Sequence, residues 1–258
     1  MSADLEPETY LRRFVNTADA AGFRVVEYGT VDTLPLLVAE HTPANPRMSI
    51  YISAGIHGDE PAGPLALLTL MAQKWFAPEI AWHVLPLLNP RGMKAGIRET
   101  PDGTDLNRDY RAGSASETRA HKHWLHHGGR HYDVALFLHE DWEATGFYLY
   151  EMREAGEPDL GWRILQAVAP VTGIDQSPEI DGFPAKNGLL RPHADSSLET
   201  VEHWPEQLFL RQNHASLSFT FETPSAMPVS ARVMAHLVAV KTAVNLLLAP
   251  RIEDAFEI

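Results

Sequence analysis

Apolar residues recur along this chain at two spacings, one helical and one alternating. Tyr10, Leu11, Phe14, Val15 and Ala18 share one helical face and predict an amphipathic helix over 6–21, which Gly22 ends. Residues 23–28 and 34–40 read as strands joined by a polar turn, and 48–54 as a third strand followed by Gly55 and Gly58. Residues 62–76 are apolar nearly all round, as in a helix buried between layers. A buried strand over 82–88 closes on Asn89-Pro90, and the polar stretch 91–112 reads as a long ordered loop. A helix is expected over 115–130, strands over 132–138 and 147–150, and a helix over 158–169. Gly and Pro are scattered through 171–200, where no element is predicted; a helical pattern over 200–211 is interrupted by Pro205. A strand over 217–221 and a long apolar helix over 229–248 complete the chain. Strands alternating with helices predict an α/β fold with a mixed, mostly parallel sheet. With no internal repeat and no Pro/Gly/Ser linker, 1–258 is expected to form a single domain.

Composition narrows the function classes. The 258 residues are 45% hydrophobic, enough for a folded core, and carry a formal net charge of −13. That charge excludes a phosphate backbone or an anionic membrane surface as the expected partner. There is no cysteine, which removes a disulfide scaffold, a Cys-ligated zinc and a Cys nucleophile. The first residues, MSADLEPETY, have neither a basic nor an apolar leader region, and the apolar stretches are broken short of ~18 residues. The expectation is a cytoplasmic protein with no membrane and no nucleic-acid partner.

Candidate chemistry lies where strands end. His57 and Glu60 follow the strand over 48–54, His139 follows 132–138, and Glu222 follows 217–221. Sites in open α/β sheets form outside the carboxyl ends of strands. Two imidazoles and one carboxylate make a normal zinc set with a fourth position open for water, and a further carboxylate could take a proton from that water. His-x-x-Glu alone is cheap: with 13 histidines, about one such pair arises by chance. The second pair, His203 and Glu206, lacks a preceding strand and reads as two exposed polar residues. The run HKHWLHHGGRH over 121–131 lies in a polar helix and reads as a solvated face. In the loop 89–110, Arg98, Asn107 and Arg108 can present planar donors to a carboxylate, or form internal ion pairs on a surface loop.

Taken in order, AGIHGDE (54–60), NP (89–90), RETPDGTDLN (98–107), DLNR (105–108), LHE (138–140) and SFTFET (218–223) resemble the zinc metallocarboxypeptidase family. That family extends to murein-peptide amidases and, more distantly, to aspartoacylases and succinylglutamate desuccinylases. The resemblance implies a three-layer α/β/α sandwich and one zinc per chain, held by His57, Glu60 and His139. It implies Asp105 as the carboxylate orienting a ligating imidazole, Arg98 as the oxyanion donor, Asn107 and Arg108 as the grip on a terminal carboxylate, and Glu222 as the general base. Two features depart from the family. No tyrosine lies between Tyr150 and Glu222, where carboxypeptidases carry a mobile one, and 180–212 aligns with nothing in them.

The expected activity is hydrolysis of an amide bond beside a free carboxylate, most simply by a small-peptide carboxypeptidase or amidase. An N-acyl amino acid deacylase is the alternative, with Arg191 or Lys186 as a second anion site. A non-catalytic metal- or peptide-binding module is the alternative of another class, and a retained Glu222 with Arg98 argues against it. The aromatic residues of HEDWEATGFYLY (139–150) are expected to wall a partly apolar substrate, and Glu140, Asp141 and Glu143 to receive a free amino group.

Overall fold

The computed structural model describes residues 5–192 and 202–249. The described residues form ten strands: β1 (Arg24–Val31), β2 (Leu34–His41), β3 (Met48–Ala54), β4 (Ile80–Leu85), β5 (Val134–Asp141), β6 (Tyr148–Arg153), β7 (Glu179–Ile180), β8 (Phe183–Lys186), β9 (Leu189–Leu190) and β10 (Leu217–Pro224). They join one sheet in the order β1-β2-β4-β3-β5-β10-β6-β9-β8-β7. Its centre, β4-β3-β5-β10, is parallel throughout. The flanks are mostly antiparallel, with β6-β9 the parallel exception. The sheet is therefore mixed with a parallel core, as expected for strands separated by helices.

Among the described residues seven α-helices cover the sheet: α1 (Pro7–Ala20), α2 (Ala62–Ala72), α3 (Pro90–Ala95), α4 (Ser116–His127), α5 (Gly161–Thr172), α6 (Glu206–Asn213) and α7 (Val229–Leu248). Alternation along the central strands sends Ile50, Ile52, Val134, Leu136, Leu138, Phe219 and Phe221 to one face, where they form a core with α1, α2, α5 and α7. Tyr51, Ala135 and Phe137 point to the other face, against Trp124 and Leu125 of α4 and Phe209 and Leu210 of α6. This is the expected three-layer sandwich. α7 is long and apolar enough to cross a membrane by length and hydropathy alone. Here it lies on α2 and α5, with Ala235, Ala239, Val240 and Ala243 buried.

Four expectations are corrected. The helix read over 62–76 stops at Ala72, and Lys74 follows at φ 50°. The loop 91–112 contains α3, started by Asn89 and Pro90 and stopped by Gly96 at φ 65°. The unassigned stretch 171–200 contains β7–β9, a small meander. Its turns, Asp181-Gly182 and Asn187-Gly188, each place both residues at positive φ, the geometry of type I′ hairpins. The predicted helix over 200–211 begins after Pro205 and runs to Asn213, while 193–201 lies outside the described residues.

Candidate metal centre and active-site pocket

The site forms where the carboxyl ends of three neighbouring parallel strands converge. β3 leads into the turn bearing His57 and Glu60, β5 carries His139, and β10 carries Glu222. His139 and Glu222 are register partners across β5-β10, and Glu222 pairs in turn with Tyr148 across β10-β6. The three side chains thus form one row on the α4/α6 face. Those helices cover Tyr51, Ala135 and Phe137, and α6 also meets the start of β10, where Gln207 Nε2 donates to Ser218 Oγ at 3.1 Å; Thr220, Glu222 and Tyr148 beyond it line an opening. The opening is a cavity of about 1030 Å³, walled by Tyr148, Tyr150, Trp142, Phe183, Thr220 and Leu208.

Close backbone approach holds the ligand turn in place. A Cβ on Gly58 would lie 2.0 Å from the carbonyl carbon of Gly92, so only glycine lets the turn rest on α3. Asn89 then binds both sides of α3. Its Oδ1 accepts from Gly92 N at 2.8 Å, and its Nδ2 donates to the carbonyl of Arg98 at 3.3 Å. The Asn89-Pro90 pair acts as a helix start that also sets the height of Arg98. This positioning role was not read from the sequence, although Asn before Pro is an N-cap signal.

His57, Glu60 and His139 are 2–4% exposed, and one ligand atom from each lies within 4.8 Å of the others. Glu60 Oε1 is 2.5 Å from His57 Nδ1, and its Oε2 is 3.2 Å from His139 Nδ1. Among the described residues Glu60 Oε2 is buried and makes no well-aligned hydrogen bond, its contact with His139 Nδ1 included, an expensive arrangement unless a cation completes it. Burial opposes charge on His57, yet Glu60 and Asp105 outweigh it and hold the imidazolium above its usual range. Burial likewise opposes charge on Glu60, and His57 and His139 outweigh it to hold the carboxylate ionised. The donor set and the unpartnered oxygen fit a divalent metal.

Asp105 binds three things at once. Its Oδ1 caps the turn at Asn107 N (2.8 Å) and lies 3.3 Å from His57 Nε2, and its Oδ2 accepts from Arg98 Nε at 3.1 Å. The far nitrogens of Arg98 remain on the pocket wall, with Nη1 3.7 Å from Glu60. Asn107 and Arg108 line the same wall. Asn107 Oδ1 accepts from the backbone N–H of Glu206 at 2.9 Å, so its amide nitrogen is the end left for the pocket. Burial first, then the charges of Glu60, Asp141 and Asp181, push the Glu222 carboxyl well above the usual range.

Four side chains are not where sequence reasoning put them. Glu140 does not face the pocket as an amine receptor. It is buried, accepts from Ala62 N at 2.6 Å at the start of α2, and pairs with Arg232. Arg191 is not a spare anion site, because Glu151 and Asp159 both hold it. His121 is 1% exposed and bonds Tyr51 and Tyr110, while His123, His126, His127 and His131 are exposed as expected. Glu206 is also 1% exposed: Pro205 starts α6 there and turns the carboxylate inward onto Tyr51 and Ser53, while His203 stays exposed. Asp181, at the β7-β8 turn, joins the acidic side of the pocket and accepts from Tyr150 at 2.7 Å; the segment carrying it had no reading from sequence.

Burial raises the Glu206 carboxyl to about 7. A raised carboxyl favours folding below its unfolded value and loses that contribution as pH climbs through about 7. Glu206→Gln is therefore expected to gain stability over the natural chain between pH 5 and pH 8, by up to about 3 kcal/mol. Urea unfolding of both proteins at the two pH values measures it, and parallel pH dependences would refute it.

The fold and the pocket define a metallocarboxypeptidase-like protein. The family model for the succinylglutamate desuccinylase/aspartoacylase catalytic domain matches residues 46–174, half of the chain, and the protein belongs to that family. Among curated relatives, murein peptide amidase A of Escherichia coli K12 is 35% identical over 83 residues, 32% of this chain and 34% of that one. Carboxypeptidase 2 of Trichophyton rubrum is 29% identical over 131 residues, 46% of this chain and 24% of that one. The chain thus spans about a third or less of the length of these relatives. Among solved structures, a protein of Shewanella amazonensis SB2B, provisionally assigned as a metallopeptidase, is 26% identical with TM-score 0.79, covering 95% and 94% of the two chains. The murein-tripeptide amidase of Escherichia coli O157 shares the fold at TM-score 0.60 and 20% identity, over 88% and 93%. Glu222 lies outside the family match.

Proposed function

We propose that this protein is a zinc-dependent hydrolase of an amide bond beside a free carboxylate, acting on small peptides. The observation that carries the reading is the row His139–Glu222 beside the His57–Glu60–His139 group, at the mouth of a cavity bearing Arg98, Asn107 and Arg108. His57, Glu60 and His139 would hold the ion, which when bound supplies a Lewis acid for the scissile carbonyl and its attacking water. Glu222 takes the proton of the attacking water and returns it to the leaving amine. Arg98, aimed by Asp105, donates to the oxyanion. The Asn107 amide and the Arg108 guanidinium hold the substrate carboxylate, which sets the amide near Glu222.

Two observations support a peptide over an acyl amino acid. The cavity is large, and four aromatic side chains wall it, more apolar surface than a four-carbon acyl group needs. Asp141 and Asp181 lie beside Glu222, where a peptide's amino group finds a counter-charge. The deacylase reading keeps one observation of its own, the family match over 46–174. Steady-state kinetics of the zinc-loaded protein on short peptides, murein peptides and acetyl- or succinyl-amino acids tests the reading. The expected result is the highest kcat/KM on a peptide; a kcat/KM well above that on an acyl amino acid makes the protein a deacylase.

The carboxylate grip has its own test. Arg108→Lys loses the planar fork, so substrates with a free carboxylate are expected to weaken by about tenfold or more while amidated analogues hardly change. Equal losses on both would give Arg108 a structural role instead.

A further inference from the structure

We propose that Glu206 is a positioning residue for substrate binding, fixing through the start of α6 which end of the Asn107 carboxamide faces the pocket. This rests on the proposed role of Asn107 as a carboxylate donor.

Glu206 is a buried carboxylate that the proposed chemistry does not use. One of its oxygens accepts from the Tyr51 hydroxyl, and the other from Ser53 Oγ at 3.0 Å. Both partners lie on β3, the strand that leads into the ligand turn. Tyr51 also meets His121 Nε2 at 3.1 Å, and His121 Nδ1 meets the Tyr110 hydroxyl at 2.7 Å. With Glu206 ionised, the direction of this chain follows. Tyr51 gives its only hydrogen to Glu206, so it must accept from His121 Nε2–H. His121 is fully buried and neutral, so its Nδ1 accepts from Tyr110. Donation therefore runs Tyr110 to His121 to Tyr51 and ends on Glu206.

The same chain closes around the substrate loop. Tyr110 is three residues from Asn107, and its N–H donates to the carbonyl of Trp204 at 3.2 Å. Pro205 gives α6 no side-chain cap, and the first N–H of the helix, that of Glu206, donates to Asn107 Oδ1 instead. Because that N–H can only donate, Oδ1 is fixed as the inner atom and the amide nitrogen as the outer one. With the carboxylate anchor gone, α6 can lift from β3 and the carboxamide can turn over. It would then present an oxygen to the substrate carboxylate, a repulsive contact in place of a donor.

The test uses the natural chain and five variants. Glu206→Ala is expected to raise KM for a peptide with a free carboxylate by about tenfold, with kcat changed far less and an amidated analogue unaffected. Glu206→Gln keeps an acceptor for Tyr51 and a partner for Ser53, and is expected to restore most of the loss. In an Asn107→Ala background the Glu206→Ala effect should vanish, because the two act through one contact. A second readout needs no turnover: the side-chain amide ¹⁵N–¹H pair of Asn107, identified by its loss in Asn107→Ala, should shift in Glu206→Ala and stay in Glu206→Gln. If Glu206→Ala does not fold, Tyr51→Phe removes one of the two anchors and is read the same way. An unmoved Asn107 amide, or a Glu206→Ala effect that persists without Asn107, overturns the proposal. If no substrate is turned over by the natural chain, the functional reading fails while the amide resonance still decides the positioning role.

Discussion

Exchanging Glu222 for glutamine is expected to leave the fold and the bound metal in place and to lower kcat by about 10²- to 10⁴-fold. The two side chains have nearly the same shape, and Glu222 makes no contact that builds the sheet; its backbone alone pairs with His139 and Tyr148. What changes is the ability to take and return a proton. The carboxyl is also crowded by Glu60, Asp141 and Asp181, so the neutral amide should melt no lower than the natural chain. Turnover, melting temperature and metal content on one preparation measure all three. A rate equal to that of the natural chain would send the proton through another group.

Removing either histidine of the metal group should cost the metal and, with it, activity. The natural chain is expected to bind about one zinc, and His57→Ala or His139→Ala well under a tenth of that after dialysis. With one imidazole gone, the remaining two ligands cannot close a site. Asp105→Asn separates ligand from support: it keeps all three ligands and loses the charge beside His57 Nε2, so affinity should fall about 10- to 100-fold rather than vanish. Metal analysis showing full occupancy in either alanine variant would remove that residue from the ligand set.

Most of the architecture was legible because β3 and β5 are largely apolar runs of strand length, β10 alternates apolar and polar residues, and α1 repeats its apolar residues at 3.6. What escaped was short. α3 has six residues, too few for a periodic signal, although its Asn-Pro start and Gly96 stop stood in plain letters. β7 and β9 have two residues each, so alternation cannot show; the Asp-Gly and Asn-Gly turns were the readable sign. The ligand group was legible because each member sits at a strand end. Glu140 and Glu206 were misread for the opposite reason: a charged letter reads as solvated, and only tertiary contacts with Arg232, or with Tyr51 and Ser53, show a buried carboxylate that is fully bonded.

The strand order has a consequence for how the molecule comes into being. β10 lies between β5 and β6, yet among the described residues it is the last strand in the chain. As the chain leaves the ribosome, β3, β4 and β5 can pair and bring His57, Glu60 and His139 together. β6 finds no neighbour on that side until β10 slots in, from about seventy residues further along. The His57, Glu60 and His139 group can thus assemble before Glu222 exists. The same insertion that closes the sheet sets Glu222 beside His139, so the proposed site becomes complete only when the fold does.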